Sequence, residues 1–207
     1  DVVPVTEEAP YQEAESPYGL SKQMGEQILA SCPFIQSQCL RYFNPVGAHP
    51  SSVLGEQPFG IPGNLVPYQT QTVAGIRKEL TVFGNDYNTK DGTCVRDYIH
   101  VSDLADIHIK SLTYINTKKK SIILNCGYGK GYSVLDMLAA YGRAVGKTLP
   151  HKIAPRRDGD VDTLLGEVEK AEEVIGFKTR YDLDEICASS WHWINTGAVQ
   201  AAKEDNS

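Results

Sequence analysis

Two hydrophobic periods interleave along this chain. Met24, Ile28 and Leu29 put an apolar stripe on a helix that Pro17 opens and that runs towards Ala30, because positions three and four apart share a face. Residues 37–43 alternate instead, carry Leu40, Tyr42 and Phe43, and read as a strand. That strand runs into a turn, Asn44-Pro45-Val46-Gly47-Ala48, which presents Asn44 at the strand's C-terminal end. In open α/β sheets that end is where ligands bind. Three prolines and three glycines make 49–63 an irregular loop. Asn64 then caps a helix carrying Leu65, Val66, Val73 and Ile76, with Pro67 in the first turn, where no donor is needed from it.

Leu80–Phe83 reads as a short strand, 84–93 as a polar loop, and Val95–His100 as another strand that sets Arg96 beside Asp97. Ser102 caps a helix with Leu104, Ile107, Ser111, Leu112 and Ile115 on one stripe, ended by Lys118–Lys120. A strand over Ser121–Asn125 leads through Gly127-Tyr128-Gly129-Lys130-Gly131 into a helix that opens on a capping box, Ser133 with Asp136. Leu183, Ile186, Cys187, Ser190, Trp191 and Ile194 mark the last helix. Strands alternating with helices give an α/β architecture with parallel pairing.

Composition narrows the function without naming it. With 207 residues, 41% hydrophobic and 22% charged, the chain has the profile of one large or two small globular domains. A net charge of −6 argues against a nucleic-acid surface, and no apolar run approaches a membrane span. Five cysteines, Cys32, Cys39, Cys94, Cys126 and Cys187, show no C-x-x-C spacing and read as reduced thiols of a cytoplasmic protein. The chain starts without methionine on a Pro- and Glu-rich, loop-like segment, which reads as the middle of a longer protein.

The candidate chemistry is concentrated in Ser16-Pro17-Tyr18-Gly19-Leu20-Ser21-Lys22. Tyr18 and Lys22 stand one helical turn apart. A phenol with a pKa of about 10 is a poor base at neutral pH, but a fixed ammonium nearby favours the phenolate and fits the pair to exchange a proton with a sugar hydroxyl. Taken alone, the pair is more readily a solvated face with an aromatic cap. The glycines at 127–131 imitate a dinucleotide fingerprint, but the third glycine comes one residue early and no acidic residue follows at the required distance. A tight strand-to-helix turn is the reading there, and no other phosphate-binding loop is visible. No metal-ligand cluster is expected.

Six blocks, Ser16–Lys22, Leu40–Pro50, Gly60–Leu65, Phe83–Tyr87, Asp91–Val101 and Ala154–Asp160, together resemble the UDP-glucose 4-epimerase (UDP-galactose 4-epimerase) family of extended short-chain dehydrogenases/reductases. The blocks keep that family's order and spacing over nearly the whole chain. The resemblance implies that residues 1–48 are the C-terminal part of a Rossmann-like NAD-binding domain. Residues 49–207 are then mainly a smaller α/β UDP-sugar-binding domain, with about 97–145 returning to the first. It implies NAD as cofactor, a UDP-hexose as substrate and a homodimer formed through the Tyr18 helix and its neighbour. Residue by residue, Tyr18 is similar to the catalytic tyrosine, Lys22 to the lysine that tunes it and holds the nicotinamide ribose, and Tyr42 to a residue beside the nicotinamide. Phe43, Asn44, Asn64 and Leu65 match substrate contacts, and Thr81, Val82 and Phe83 the segment flanking uracil. Arg96 and Arg157 match the diphosphate-binding arginines, for which a forked guanidinium is suited, and Asp160 a carboxylate that accepts ribose hydroxyls.

Plainer readings of single residues stand beside these. Arg96 with Asp97, or Arg156 and Arg157 with Asp158 and Asp160, also make ion pairs, and Phe43 and Phe83 also suit a core. The pattern departs from the family at Gly63, where an asparagine is expected, and over 165–170. Leu164 stands where the family governs room for N-acetylated sugars, and its bulk points to a tight pocket that favours UDP-galactose. The implied activity interconverts UDP-galactose and UDP-glucose through a transient 4-keto sugar. The glycine fingerprint and the family's catalytic Ser/Thr would precede Asp1, so the chain reads as a C-terminal piece that is inactive without the N-terminal half. Another nucleotide-sugar enzyme, such as a 4,6-dehydratase or decarboxylase, and a non-catalytic UDP-sugar-binding module are the alternatives.

Overall fold

Ser16 opens the first helix, accepting from Gly19 N at 3.1 Å, with Pro17 in the first turn where its absent donor costs nothing. A computed structural model of the chain describes residues 3–14, 16–58 and 60–196. The ends of the two expected domains, residues 1–2 and 197–207, lie outside them. In order the elements are α1 (Pro17–Ala30), β1 (Gln38–Tyr42), β2 (Asn44–Val46), α2 (Leu65–Val73), β3 (Leu80–Phe83), β4 (Val95–His100) and α3 (Val101–Lys118). They continue with β5 (Ile122–Cys126), β6 (Gly131–Ser133), α4 (Val134–Val145), β7 (His151–Ala154), β8 (Thr163–Leu164), α5 (Glu169–Ile175) and α6 (Leu183–Asn195).

The strands pair mostly in parallel, as the alternation with helices requires. β1 runs parallel to β5, β2 to β4, and β3 to β7, while β4 also takes β6 antiparallel and β8 parallel. Two apolar cores form. One gathers Val66 and Val73 of α2, Leu80 and Val82 of β3, Met137, Leu138 and Tyr141 of α4, and Ile186 and Cys187 of α6. The other gathers Ile99, Ile107 and Ile115 with Ile122, Leu124 and Cys126 of β5 and Ala171 and Phe177. The stretch 97–145 is therefore divided: its first part enters the second core, while α4 packs with α2 and α6.

Several expectations are corrected. The expected turn at 44–48 begins as strand β2, because Asn44, Pro45 and Val46 register against Tyr98, Ile99 and His100. The helix from Leu65 ends at Val73, short of Ile76. Ser102 is not the cap of α3. His100 is, with Nδ1 accepting from Ser102 N at 3.0 Å, and Ser102 sits within the first turn. Elements β6, β7, β8 and α5 carry too few residues to show a period. The α1 stripe does not face a core: Met24 is 51% and Ile28 59% exposed, and α1 has no buried residue.

The glycines from Gly127 do form a turn, but it leads from β5 into β6 (Gly131–Ser133), paired with β4, and only then into α4, not directly from strand to helix. Asp97, fully buried, accepts from Tyr128 N at 2.7 Å and Gly129 N at 2.9 Å, and a Cβ on Gly127 would lie 2.3 Å from its Oδ2. Burial pushes the Asp97 carboxyl up, against the opposite pull of those amides.

His100 is fully buried and joins three elements. Nδ1 accepts from Ser102 N, so Nε2 carries the proton and donates to Ser189 Oγ at 3.1 Å. That hydroxyl accepts from Ala48 N at 3.1 Å and donates to Ile186 O at 2.9 Å. Burial lowers the His100 pKa, and protonating Nδ1 removes the acceptor of the α3 cap. The neutral ring's contribution is complete above the unfolded value of about 6.5 and is lost as pH falls below it towards the folded value. Denaturation midpoints are expected to fall between pH 7.5 and pH 5, and less steeply in His100→Asn, whose amide oxygen still accepts but does not titrate. Equal pH slopes in the two proteins would refute the assignment.

Candidate active site

Five segments converge on one cleft. The β1–β2 junction supplies Phe43 and Asn44, and Pro62–Leu65 at the α2 start supplies Asn64 and Leu65. β3 supplies Thr81, Val82 and Phe83, and β4 with the segment after β7 supplies Arg96, Arg157 and Asp160. The cleft has a volume of about 550 Å³, within the range of small-molecule sites. Ten of the fourteen residues expected from the sequence line it.

Each side chain is held by a local reason. β4 alternation turns Arg96 into the cleft and Asp97 away from it, so the Arg96–Asp97 ion pair is not made. Arg96 Nη1 donates to Val95 O at 2.9 Å and Val161 O at 2.8 Å, and Nη2 lies 3.4 Å from Asp160 Oδ1. Arg157 donates through Nε to Asp160 Oδ2 at 2.9 Å, and its guanidinium carbon stands 5.1 Å from the Phe83 ring centroid. Arg156 turns elsewhere, onto Asp86 at 2.8 Å and over the Tyr87 ring at 4.0 Å. One carboxylate thus holds two guanidiniums on the wall, and only the donors not spent on Asp160 or on the Val95 and Val161 carbonyls remain for an anion. Asn64 stands at the N-cap of α2 with no side-chain bond to the helix. The Phe43 ring lies against Gly166, where a Cβ would come within 2.5 Å of Cε2.

Four expected residues lie off the cleft. Tyr18 is 72% exposed on α1, with the Lys22 ammonium 5.1 Å from its ring centroid, so the one-turn spacing does bring the two together. Tyr42 points from β1 towards α3, its hydroxyl 2.6 Å from His108 Nε2, and burial raises its phenol pKa. Leu164, 38% exposed, registers against Arg96 across β8 and β4. Sequence reasoning missed Tyr68, Cys94, Tyr98 and Val134, which also line the cleft. Tyr98 shares the Arg96 side of β4 by period 2, a signal that was available; burial pushes its phenol and the Cys94 thiol up. Among the described residues, no cluster of His, Cys, Asp and Glu fits a metal, all five cysteines are free, and no helix is long and apolar enough to cross a membrane.

A family model described as GDP-mannose 4,6 dehydratase matches residues 1–190, and the chain belongs to that family of extended short-chain dehydrogenases/reductases. Similar curated proteins include UDP-glucose 4-epimerases, in agreement with the motif set. The one from Yersinia pestis is 47% identical over 195 residues, covering 92% of this chain and 58% of its own length. The one from Bacillus subtilis is 47% identical over 194 residues, covering 92% and 57%. Among solved structures, the UDP-glucose-4-epimerase of Stenotrophomonas maltophila, with bound NAD and formylated UDP-arabinopyranose, superposes with a TM-score of 0.93 at 43% identity over 98% of this chain and 60% of that one. That of Bifidobacterium longum, in complex with NAD+ and UDP, gives 0.87 at 45% identity over 93% and 58%. The chain thus spans under two thirds of the length of these relatives.

The two arginines are expected to differ in stability cost. Arg96, with 13% of its side chain exposed, serves two carbonyls and Asp160, whereas Arg157 is 50% exposed. Arg96→Ala is expected to cost about 2–3 kcal/mol, and Arg157→Ala about 1 kcal/mol or less, in chemical denaturation. A reversed order would contradict this geometry.

Proposed function

We propose that this chain forms the UDP-hexose-binding part of a UDP-glucose 4-epimerase, which interconverts UDP-galactose and UDP-glucose with NAD in galactose metabolism of the cytoplasm. The observation that carries the reading is the convergence of ten sequence-selected residues on one cleft whose wall holds two fixed guanidiniums. Arg96 and Arg157 would take the diphosphate, Asp160 the ribose hydroxyls, and Thr81, Val82 and Phe83 the uracil edge. Asn44 and Asn64 would donate to phosphate or sugar oxygens. Anchoring the nucleotide leaves the hexose free to turn over.

Residues suited to NAD are Tyr18, Lys22 and Tyr42. The donor set fits: a phenol and an ammonium share one exposed face of α1, the chemistry that ribose hydroxyls need. When bound, NAD supplies the acceptor and donor of hydride at C4 of the hexose. Tyr18 Oη takes the O4 proton and returns it on the opposite face, with Lys22 stabilising the phenolate. Leu164, registered against Arg96 but off the cleft lining, lends no support to a tight sugar pocket that excludes N-acetyl groups. Division into a dinucleotide unit and a UDP-sugar unit is in line with two apolar cores, although Val46 and α4 enter the first core and Ala171 and Phe177 the second, across the bounds expected at 1–48 and 97–145. A homodimer is supported by Leu20, Met24 and Ile28, which expose 50%, 51% and 59% of their surface on α1.

Titration calorimetry of UDP into the chain tests the anchor. Binding is expected, weakened about 10–100-fold in Arg96→Ala and Arg157→Ala, the loss of a charge-assisted contact. No binding by the parent chain would sink the reading. For turnover, the chain is joined to the part of the Yersinia pestis relative that it does not match, and UDP-galactose conversion is followed with NAD. Tyr18→Phe is expected to lower kcat by about 10²–10⁴-fold, and an unchanged rate would remove Tyr18 from the chemistry.

A further inference from the structure

The loop between β2 and α2 enters and leaves the cleft. Asn44, Pro45 and Val46 line it on one side, and Ile61, Pro62, Gly63 and Asn64 on the other. Its own bonds are few: His49 N to Leu54 O at 2.9 Å, Ser52 N to His49 O at 2.8 Å, and the His49 ring with Ser51. What holds its middle is one face of α6. Ser189 Oγ accepts from Ala48 N at 3.1 Å, and Trp193 Nε1 donates to Glu56 O at 3.3 Å. Thr196 Oγ1 lies 3.5 Å from Ser52 O. Positions 189, 193 and 196 are four and three residues apart, one stripe of the helix. The closest approach is at Gly55: a Cβ there would lie 2.3 Å from Trp193 Cγ and 2.4 Å from Cδ2. The indole is therefore seated on the Gly55 backbone, a fit that glycine alone permits.

We infer that Trp193 is a positioning residue of the cleft: its indole, clasped on Gly55 and Glu56, holds the loop so that Ile61–Asn64 form the cleft wall. The inference rests on the reading of the cleft as a UDP site. Trp193 is not among the residues that line the cleft. It acts through the chain between Glu56 and Asn64, whose described residues form no helix or strand. Residues freed from a single backbone well regain conformational entropy, and ligand binding must then reorder them.

Three variants test this by two readouts. Trp193→Ala removes the clasp from the helix side. Gly55→Ala unseats the indole from the loop side with α6 unchanged. The double variant asks whether both act on one contact. Hydrogen exchange over 60–65, measured without ligand, is expected to speed up in each single variant, and UDP affinity to fall about five- to ten-fold, with the double variant no worse than the poorer single one. Circular dichroism and rescue of both readouts by Trp193→Phe separate positioning from general unfolding. Unchanged exchange over 60–65 in both single variants overturns the clasp. Faster exchange with unchanged UDP affinity overturns the positioning role. If the parent chain binds no UDP, the proposed function fails, whereas the exchange readout still decides the clasp.

Discussion

The alternation of β4 is the constraint on which the site depends. β4 is paired with β2, β6 and β8, so none of its residues is free to rotate out of its assigned face. Arg96 is committed to the cleft, Asp97 to the glycine turn, Tyr98 to the cleft again, Ile99 to the second core and His100 to the start of α3. A one-residue slip would exchange every one of these roles. It would bury the Arg96 guanidinium against the turn's amide donors and send Asp97 among the groups that now receive Arg157. Two devices block the slip. The Asp97 carboxylate fills the space left by the absent Cβ of Gly127, and the His100 ring stacks on Tyr181 with centroids 4.0 Å apart while it caps α3.

The glycine cluster therefore has a definite occupant. Its amides are arranged to bind an anion, and the anion is the chain's own carboxylate at Asp97. That explains why the segment imitates a dinucleotide loop in sequence without being one: both need glycine for close approach to a negative group. The spacing differed because a side chain from a neighbouring strand occupies a different place from a pyrophosphate lying on a helix.

Legibility in the sequence followed the number of residues that carried each signal. α4 and its capping box, α6, β4 and β3 were readable because several positions agree on one period or cap. β8 has two residues and β6 three, and their existence depends on register against β4, which no local pattern records. The α3 cap failed for a different reason: a serine beside a helix start is the stronger general signal, but the extended backbone of His100 and its buried ring put Nδ1 in place first. In the site, ordered motifs located the cleft, while Tyr98 was overlooked although it lies on the Arg96 side of the same strand. Tyr68 and Val134 reach the cleft through tertiary packing of α2 and α4, and nothing in their own neighbourhood marks them.

The remaining question is how a helix with no buried residue keeps Tyr18 in a fixed relation to the cleft. The tie is polar. Arg41 on β1 forks onto Glu26 of α1 through Nε at 2.9 Å and Nη2 at 2.7 Å, and Nη1 donates to Glu7 O at 3.0 Å. The Tyr11 hydroxyl adds a bond to Glu26 at 2.8 Å, and the Arg41 fork holds the Glu26 carboxyl below the usual carboxylate range. With 25% and 17% of the side chains exposed, the pair is screened less than the surface pairs that are worth about 1 kcal/mol or less. Both Glu26 oxygens accept and all three Arg41 nitrogens donate, which is what makes a half-buried pair favourable. Arg41 lies on β1 three residues before Asn44, so the strand that leads into the Phe43–Asn44 junction of the cleft also sets the position of α1. In the proposed reading, acid–base chemistry and nucleotide anchoring are then coordinated through one short segment of β1, although the groups involved stand on separate elements and share no apolar core.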